Sequence, residues 1–124
     1  MDFRVLIVED NRDAADTIAE ILVAYGFQVR VEYDGLAGVR AALADPPDAV
    51  LCDIRLPGLN GFEVAQRIRD GLNRKPLLVA VTASLERELV EPAGRAGFDH
   101  YFLKPADPVE IGGLLADYAG SRRA

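Results

Sequence analysis

Apolar positions gather in five short runs that begin near residues 4, 28, 49, 77 and 101, and longer mixed stretches separate them. The runs Val5–Val8, Ala49–Cys52 and Leu77–Val81 are continuous, as strands buried on both faces are. The run Gln28–Tyr33 instead alternates apolar and polar positions, which predicts one wetter face and so an edge strand. Strands alternating with helical stretches predict an α/β fold with a parallel, doubly wound sheet. With the second strand at an edge, the predicted order is 2-1-3-4-5. After Asp10, the positions Ala14, Ile18, Ile21, Leu22 and Tyr25 share one face at the 3.6-residue period, and Gly26 is the predicted stop. Asn11 is the predicted cap of that helix. Asn60 followed by Glu63 predicts a capping box for a second clear helix, with Ala65, Ile68 and Leu72 inside.

Two later helices are predicted to be weak. The fourth, after Ser84, contains Pro92, which removes a backbone donor and clashes with the preceding turn. The fifth is well marked by Asp107 as cap and Pro108 at its first position. It carries Gly112-Gly113 inside, and each glycine costs about 1 kcal/mol against alanine.

Length and composition narrow the possibilities. A chain of 124 residues, half of them hydrophobic, predicts a single domain over residues 1–124 with a substantial core. No apolar run approaches the roughly 18 residues of a membrane span, and no basic flank precedes a long apolar stretch as in a secretory signal. One cysteine, Cys52, cannot form an intramolecular disulfide, so a reducing, cytoplasmic setting is expected. A net charge of -6 with no basic stripe argues against direct nucleic-acid binding. The expected partners are therefore proteins, neither nucleic acid nor membrane.

The strand ends carry the chemistry. Glu9 and Asp10 close the first run, Asp53 the third, Thr82 the fourth and Lys104 the fifth. In a parallel α/β sheet these ends converge on the ligand-binding edge. Two carboxylates about 4 Å apart repel by roughly 4 kcal/mol at an effective dielectric of 20. Three together need a cation or a proton. Oxygen-only donors at a partly open site favour Mg²⁺, with Mn²⁺ able to take the same set. Asp10 and Asp53 are the expected direct ligands, with Glu9 acting through water. A carboxylate so placed can attack phosphorus and form an acyl phosphate. Lys104 can neutralise a phosphoryl oxygen and Thr82 can donate a hydrogen bond to another.

Plainer roles compete with these. Asp53, Thr82 and Asp10 could be caps or turn residues, and Lys104 could be an edge-strand charge. It is their combination that promotes them. Cys52 reads as a small core residue and His100, the only histidine, as a solvated one. Pro57-Gly58 and Asn60-Gly61 are turn residues, and Gly61 could let its loop pass close to the site.

Four motifs, Val5-Leu-Ile-Val-Glu-Asp10, Leu51-Cys-Asp-Ile-Arg-Leu-Pro-Gly-Leu-Asn-Gly61, Val79-Ala-Val-Thr-Ala83 and Tyr101-Phe-Leu-Lys-Pro105, together resemble those of two-component response-regulator receiver domains. The resemblance covers essentially the whole chain, in order and spacing. It implies a flavodoxin-like (βα)5 three-layer sandwich. It implies that Asp53 takes a phosphoryl group from a phosphohistidine of a histidine kinase or histidine phosphotransfer protein. It implies Mg²⁺ held by Asp10, Asp53 and the backbone carbonyl of Arg55. It implies that Thr82 and Tyr101 act as switch residues and that the Lys104–Pro105 peptide is cis. Output is then read on the face of the fourth helix, fifth strand and fifth helix by a protein partner. Such a domain catalyses its own phosphorylation and dephosphorylation and turns over no separate metabolite.

The nineteen residues after Pro105 leave room for one helix and a tail, so either a stand-alone regulator or the receiver of a hybrid histidine kinase is expected. Arg55 and Ser84 stand where the family varies. Pro92 and Gly112-Gly113 fall in the implied output face, which is expected to be mobile or ordered by a partner. Three other readings fit less well. A haloacid-dehalogenase-like phosphatase wants an aspartate where Arg55 stands. A nucleotide or flavin binder wants a phosphate-cradling loop where Glu-Asp-Asn-Arg stands. A receiver-like scaffold without phosphorylation would not need all five strand-end residues.

Overall fold

The structure, a computed structural model, describes residues 3–83 and 97–123. Five strands, β1 (Arg4–Val8), β2 (Gln28–Glu32), β3 (Ala49–Asp53), β4 (Leu77–Thr82) and β5 (His100–Leu103), form one parallel sheet in the order β2-β1-β3-β4-β5. The order is the predicted one. Every described residue of β3 and β4 is buried, whereas β2 and β5, at the two edges, are half open. Alternation thus marks β2 as an edge because only one of its faces is covered. The three-residue run of β5 is too short to show the same sign.

The described helices are α1 (Arg12–Ala24), α2 (Gly35–Ala44), α3 (Gly61–Gly71) and a C-terminal helix (Pro108–Arg123). They cover both faces of the sheet. On one face Leu6, Val8, Val50, Cys52 and Leu78 pack against α2 and α3 through Val39, Val64 and Ile68. On the other, Val5, Ile7, Leu51 and Val79 pack against α1 and the C-terminal helix through Ala15, Leu22, Ile111 and Leu115. This is the three-layer sandwich that the period-two alternation of buried strand residues requires.

Local signals explain the boundaries. Asn11 caps α1, its Oδ1 accepting from Ala14 N at 3.1 Å, and Gly26 ends it at φ 97°. The buried line of α1 is Ala15 and Leu22. The predicted face is therefore turned slightly, and its last member, Tyr25, is 42% exposed. Asn60 and Glu63 form the capping box of α3, at 3.0 and 3.2 Å. At the C-terminal helix the Asp107 carboxylate accepts from Val109 N at 2.9 Å, as a cap does. Ser84, Pro92 and the predicted fourth helix lie outside the described residues.

The C-terminal helix runs unbroken through Gly112-Gly113, and the two glycines differ. A Cβ at Gly112 would lie 2.5 Å from the Tyr25 ring, which stacks on Phe27 at 6.1 Å and donates to Val109 O at 3.3 Å. Gly112 is therefore the seat of an aromatic side chain from the end of α1. A Cβ at Gly113 would meet nothing within 4 Å. Gly113→Ala is expected to raise stability by about 0.5–1 kcal/mol in urea melts. Gly112→Ala gains the same propensity but displaces the ring, and should fall at least ~1 kcal/mol short of Gly113→Ala. Equal effects would show that the Tyr25 seat contributes nothing.

Candidate functional site

The register of the sheet brings the ends of β1, β3, β4 and β5 to one edge, with Val8 beside Cys52, Asp53 beside Val81 and Thr82 beside Leu103. The residues closing these strands meet there. Glu9 is 4% exposed, Asp53 7% and Thr82 1%, while Asp10, one step further along, is open to solvent.

Lys104 joins the buried acids. Its Nζ donates to Glu9 Oε1 at 2.5 Å and to Asp53 Oδ2 at 2.9 Å. The other oxygens are held by backbone. Asn11 N donates to Glu9 Oε2 and Arg55 N to Asp53 Oδ1, both at 3.2 Å. The Lys104 backbone N–H in turn donates to Thr82 O at 2.7 Å, which ties β5 to β4 at this point. Two buried carboxylates are thus oriented and compensated by one ammonium, as burial of charge demands. The Lys104–Pro105 peptide is cis.

The electrostatics follow from that packing. Burial works to lower the Lys104 pKa, but its bonds to Glu9 and Asp53 and their charges outweigh it, so the ammonium is held above its usual range. Asp10 is pushed up by the desolvation it does undergo and by the neighbouring Glu9 carboxyl, and Lys104 offsets this only in part. Burial pushes the Cys52 thiol up, which fits an inert core residue. His100 is exposed.

Carboxylate oxygens of Glu9, Asp10 and Asp53 all lie within 4.8 Å of one another. Oxygens on opposite sides of an octahedral Mg²⁺ stand about 4.2 Å apart. Asp10 and Asp53 thus stand close enough to share that ion, with Glu9 beside them, and the exposed Asp10 leaves room for water ligands. Without a cation, Asp10 sits against like charge. Asp10→Asn is expected to raise the melting midpoint of the metal-free protein by about 2 °C. It should also remove the further rise that Mg²⁺ gives the wild type. A midpoint below wild type would show that Asp10 instead makes a stabilising contact.

Gly61 fixes the loop that follows Asp53. Its N–H donates to Ile54 O at 2.8 Å, and a Cβ there would lie 2.4 Å from Asp53 O and 2.6 Å from Ile54 Cα. The loop passes against the strand end, as the sequence predicts. Tyr101 is half-buried on β5, packed on the side of the sheet that α2 and α3 cover. Sequence reasoning missed the backbone donors of Asn11 and Arg55. Every residue but proline has an N–H, so no side-chain pattern could have found them.

The family model of the response regulator receiver domain matches residues 5–115. The chain belongs to that family. Receiver domains of two-component response regulators thus supply its relatives. The chain is 33% identical over 108 residues to the response regulator ArlR of Staphylococcus saprophyticus, covering 87% of this chain and 48% of that protein. It is 33% identical over 112 residues to the transcriptional regulatory protein TctD of Salmonella typhimurium, covering 90% of this chain and 50% of that protein. The receiver thus spans about half the length of the curated relatives it matches. Among solved structures, the receiver domain of the sensor histidine kinase PA1611 from Pseudomonas aeruginosa superposes with a TM-score of 0.87 at 32% identity, over 97% of this chain and 99% of that one. That domain has a magnesium ion coordinated in its active-site cleft. A receiver domain from Methanospirillum hungatei, 24% identical, shares the fold with a TM-score of 0.89. Among the described residues, no helix is long and apolar enough to cross a membrane.

Proposed function

We propose that this receiver is a phosphoacceptor, that Asp53 is the residue it uses, and that residues 1–124 act as one unit. The observation that carries this is the Lys104 ammonium bonded at once to the buried carboxylates of Asp53 and Glu9, beside the exposed Asp10. Asp53 is the nucleophile. It is buried, oriented through both oxygens, and reached from the open side of the sheet edge. Asp10, Asp53 and the Arg55 carbonyl would hold Mg²⁺, with Glu9 acting through water. Bound there, the ion neutralises charge on the transferring phosphoryl group.

Lys104 supplies positive charge from the protein itself and stabilises the extra negative charge of the transition state. The Thr82 hydroxyl, at the end of β4, donates to a phosphoryl oxygen, and its movement together with Tyr101 transmits the change. The donor is a phosphohistidine on a histidine kinase or phosphotransfer protein, in the cytoplasm. A protein partner reads the result on the face of β5, the C-terminal helix and the predicted fourth helix. The aspartyl phosphate is later lost to water by self-catalysis, so the domain is a switch and turns over no metabolite.

Intact mass after incubation with acetyl phosphate tests the acceptor chemistry. The expected result is a gain of one phosphoryl group that requires Mg²⁺. Borohydride should convert the acceptor to homoserine at position 53 in peptide mapping. A gain mapped to another residue, or no gain from several donors with Mg²⁺ bound, would overturn the reading.

A further inference from the structure

An open hollow adjoins the acceptor, walled by Asp10, Ile54, Arg55, Leu56 and Phe62. Two of these residues also belong to the acceptor site: Asp10 joins the acidic cluster, and Arg55 N holds Asp53 Oδ1. The hollow therefore lies beside the acceptor, along the loop that follows β3. Its character is mixed in a specific way. Ile54 and Leu56 are buried and make an apolar floor, Arg55 is an exposed cation at the rim, and Phe62 is an aromatic wall. Phe62 is the second residue of α3 and packs half-buried against the core cluster of that face, so its ring is held in place. The Asn60–Glu63 capping box and the contact of Gly61 with the end of β3 fix the start of the helix that carries it.

From this arrangement we propose that Phe62, with Arg55 at the rim, seats the ring of the donor's leaving group and gives the domain a preference for phosphorylated imidazole over ringless donors. The inference rests on the acceptor role of Asp53 argued above. In the transfer, an Asp53 carboxylate oxygen forms a bond to phosphorus as the P–N bond breaks. The electron pair of that bond stays on the ring nitrogen, and the ring, already protonated on its other nitrogen, departs as neutral imidazole. Before departure the ring is cationic and planar. An aromatic face attracts such a group through its quadrupole, and an aliphatic side chain does not. Arg55 meets the phosphoryl end, whose charge is opposite to its own.

The test compares monophosphoimidazole with phosphoramidate, two donors that transfer across the same kind of P–N bond and differ in the ring. Phosphorylation rates are read by intact mass with Mg²⁺ for the wild type, Phe62→Leu and Phe62→Tyr. Phe62→Leu is expected to slow monophosphoimidazole by about three- to tenfold, the range of one aromatic contact. Phosphoramidate should change by less than about twofold, which also reports that the variant is folded. Phe62→Tyr should restore the wild-type ratio. An equal fall with both donors, no fall with either, or no rescue by tyrosine would overturn the seat and leave Asp53 as acceptor. If neither donor modifies the wild type, the acceptor reading fails and the inference with it.

Discussion

Lys104→Met is expected to destabilise the protein by about 2–3 kcal/mol at neutral pH and to slow phosphorylation by about a hundredfold or more. Methionine keeps the apolar stem and deletes the charge. The Lys104 Nζ bonds to Glu9 and Asp53 are then lost, and two nearly buried carboxylates face each other without compensation. Breaking a fully buried pair costs about 3–5 kcal/mol. The Lys104 side chain is 30% exposed, so solvent screening sets the expectation at the lower end.

The pH dependence has a definite sign. The ammonium is held above its ordinary 10.5, so its contribution is fully present below that value and fades as pH rises through the folded pKa. Urea melts of the wild type and variant should therefore keep a constant gap from neutrality to about pH 10 and converge above it. A gap below about 0.5 kcal/mol at neutrality, or one that persists undiminished at higher pH, would mean that the bridge contributes little.

Gly61→Ala is the second large effect. The added Cβ meets the Asp53 carbonyl oxygen and Ile54 Cα, both backbone atoms that cannot swing aside. The expected loss is about 3 kcal/mol or more, at the upper end of overpacking costs. Because the displaced atoms belong to Asp53, the proposed acceptor, and to its neighbour Ile54, phosphorylation should fall even at temperatures where the variant is fully folded. Gly58→Ala is the control. Its φ of 72° is strained for alanine, but no atom stands within 4 Å of the new Cβ, so a loss nearer 1 kcal/mol is expected. Similar losses at both positions would show that backbone conformation, and not close approach, is what Gly61 supplies.

What the sequence made legible depends on the range of the signal. The edge position of β2 follows from alternation within five residues, and the caps Asn11, Asn60 and Asp107 from contacts within a turn. The sheet order and family follow from motifs that each lie within a few residues. The contact of Tyr25 with Gly112 joins distant segments, and the sequence showed only the apparent weakness of two helical glycines. The slight rotation of α1 has the same origin, because the C-terminal helix packed against it decides which of its apolar residues are covered. At the site, the residue types were readable while the bonds were not. The sharing of Lys104 between Glu9 and Asp53 is a fact of three dimensions.

That sharing also constrains when the protein becomes competent during its own synthesis. Glu9 and Lys104 stand 95 positions apart, and Asp53 and Lys104 stand 51 apart. A ribosome emits Glu9 and Asp53 long before the cation that reconciles them, and β4 must already be seated for β5 to deliver it. A nascent or C-terminally truncated chain thus holds the acids without their partner. The Lys104 bridge is completed only once β5 has paired with β4, a long-range parallel pairing of the kind that forms slowly.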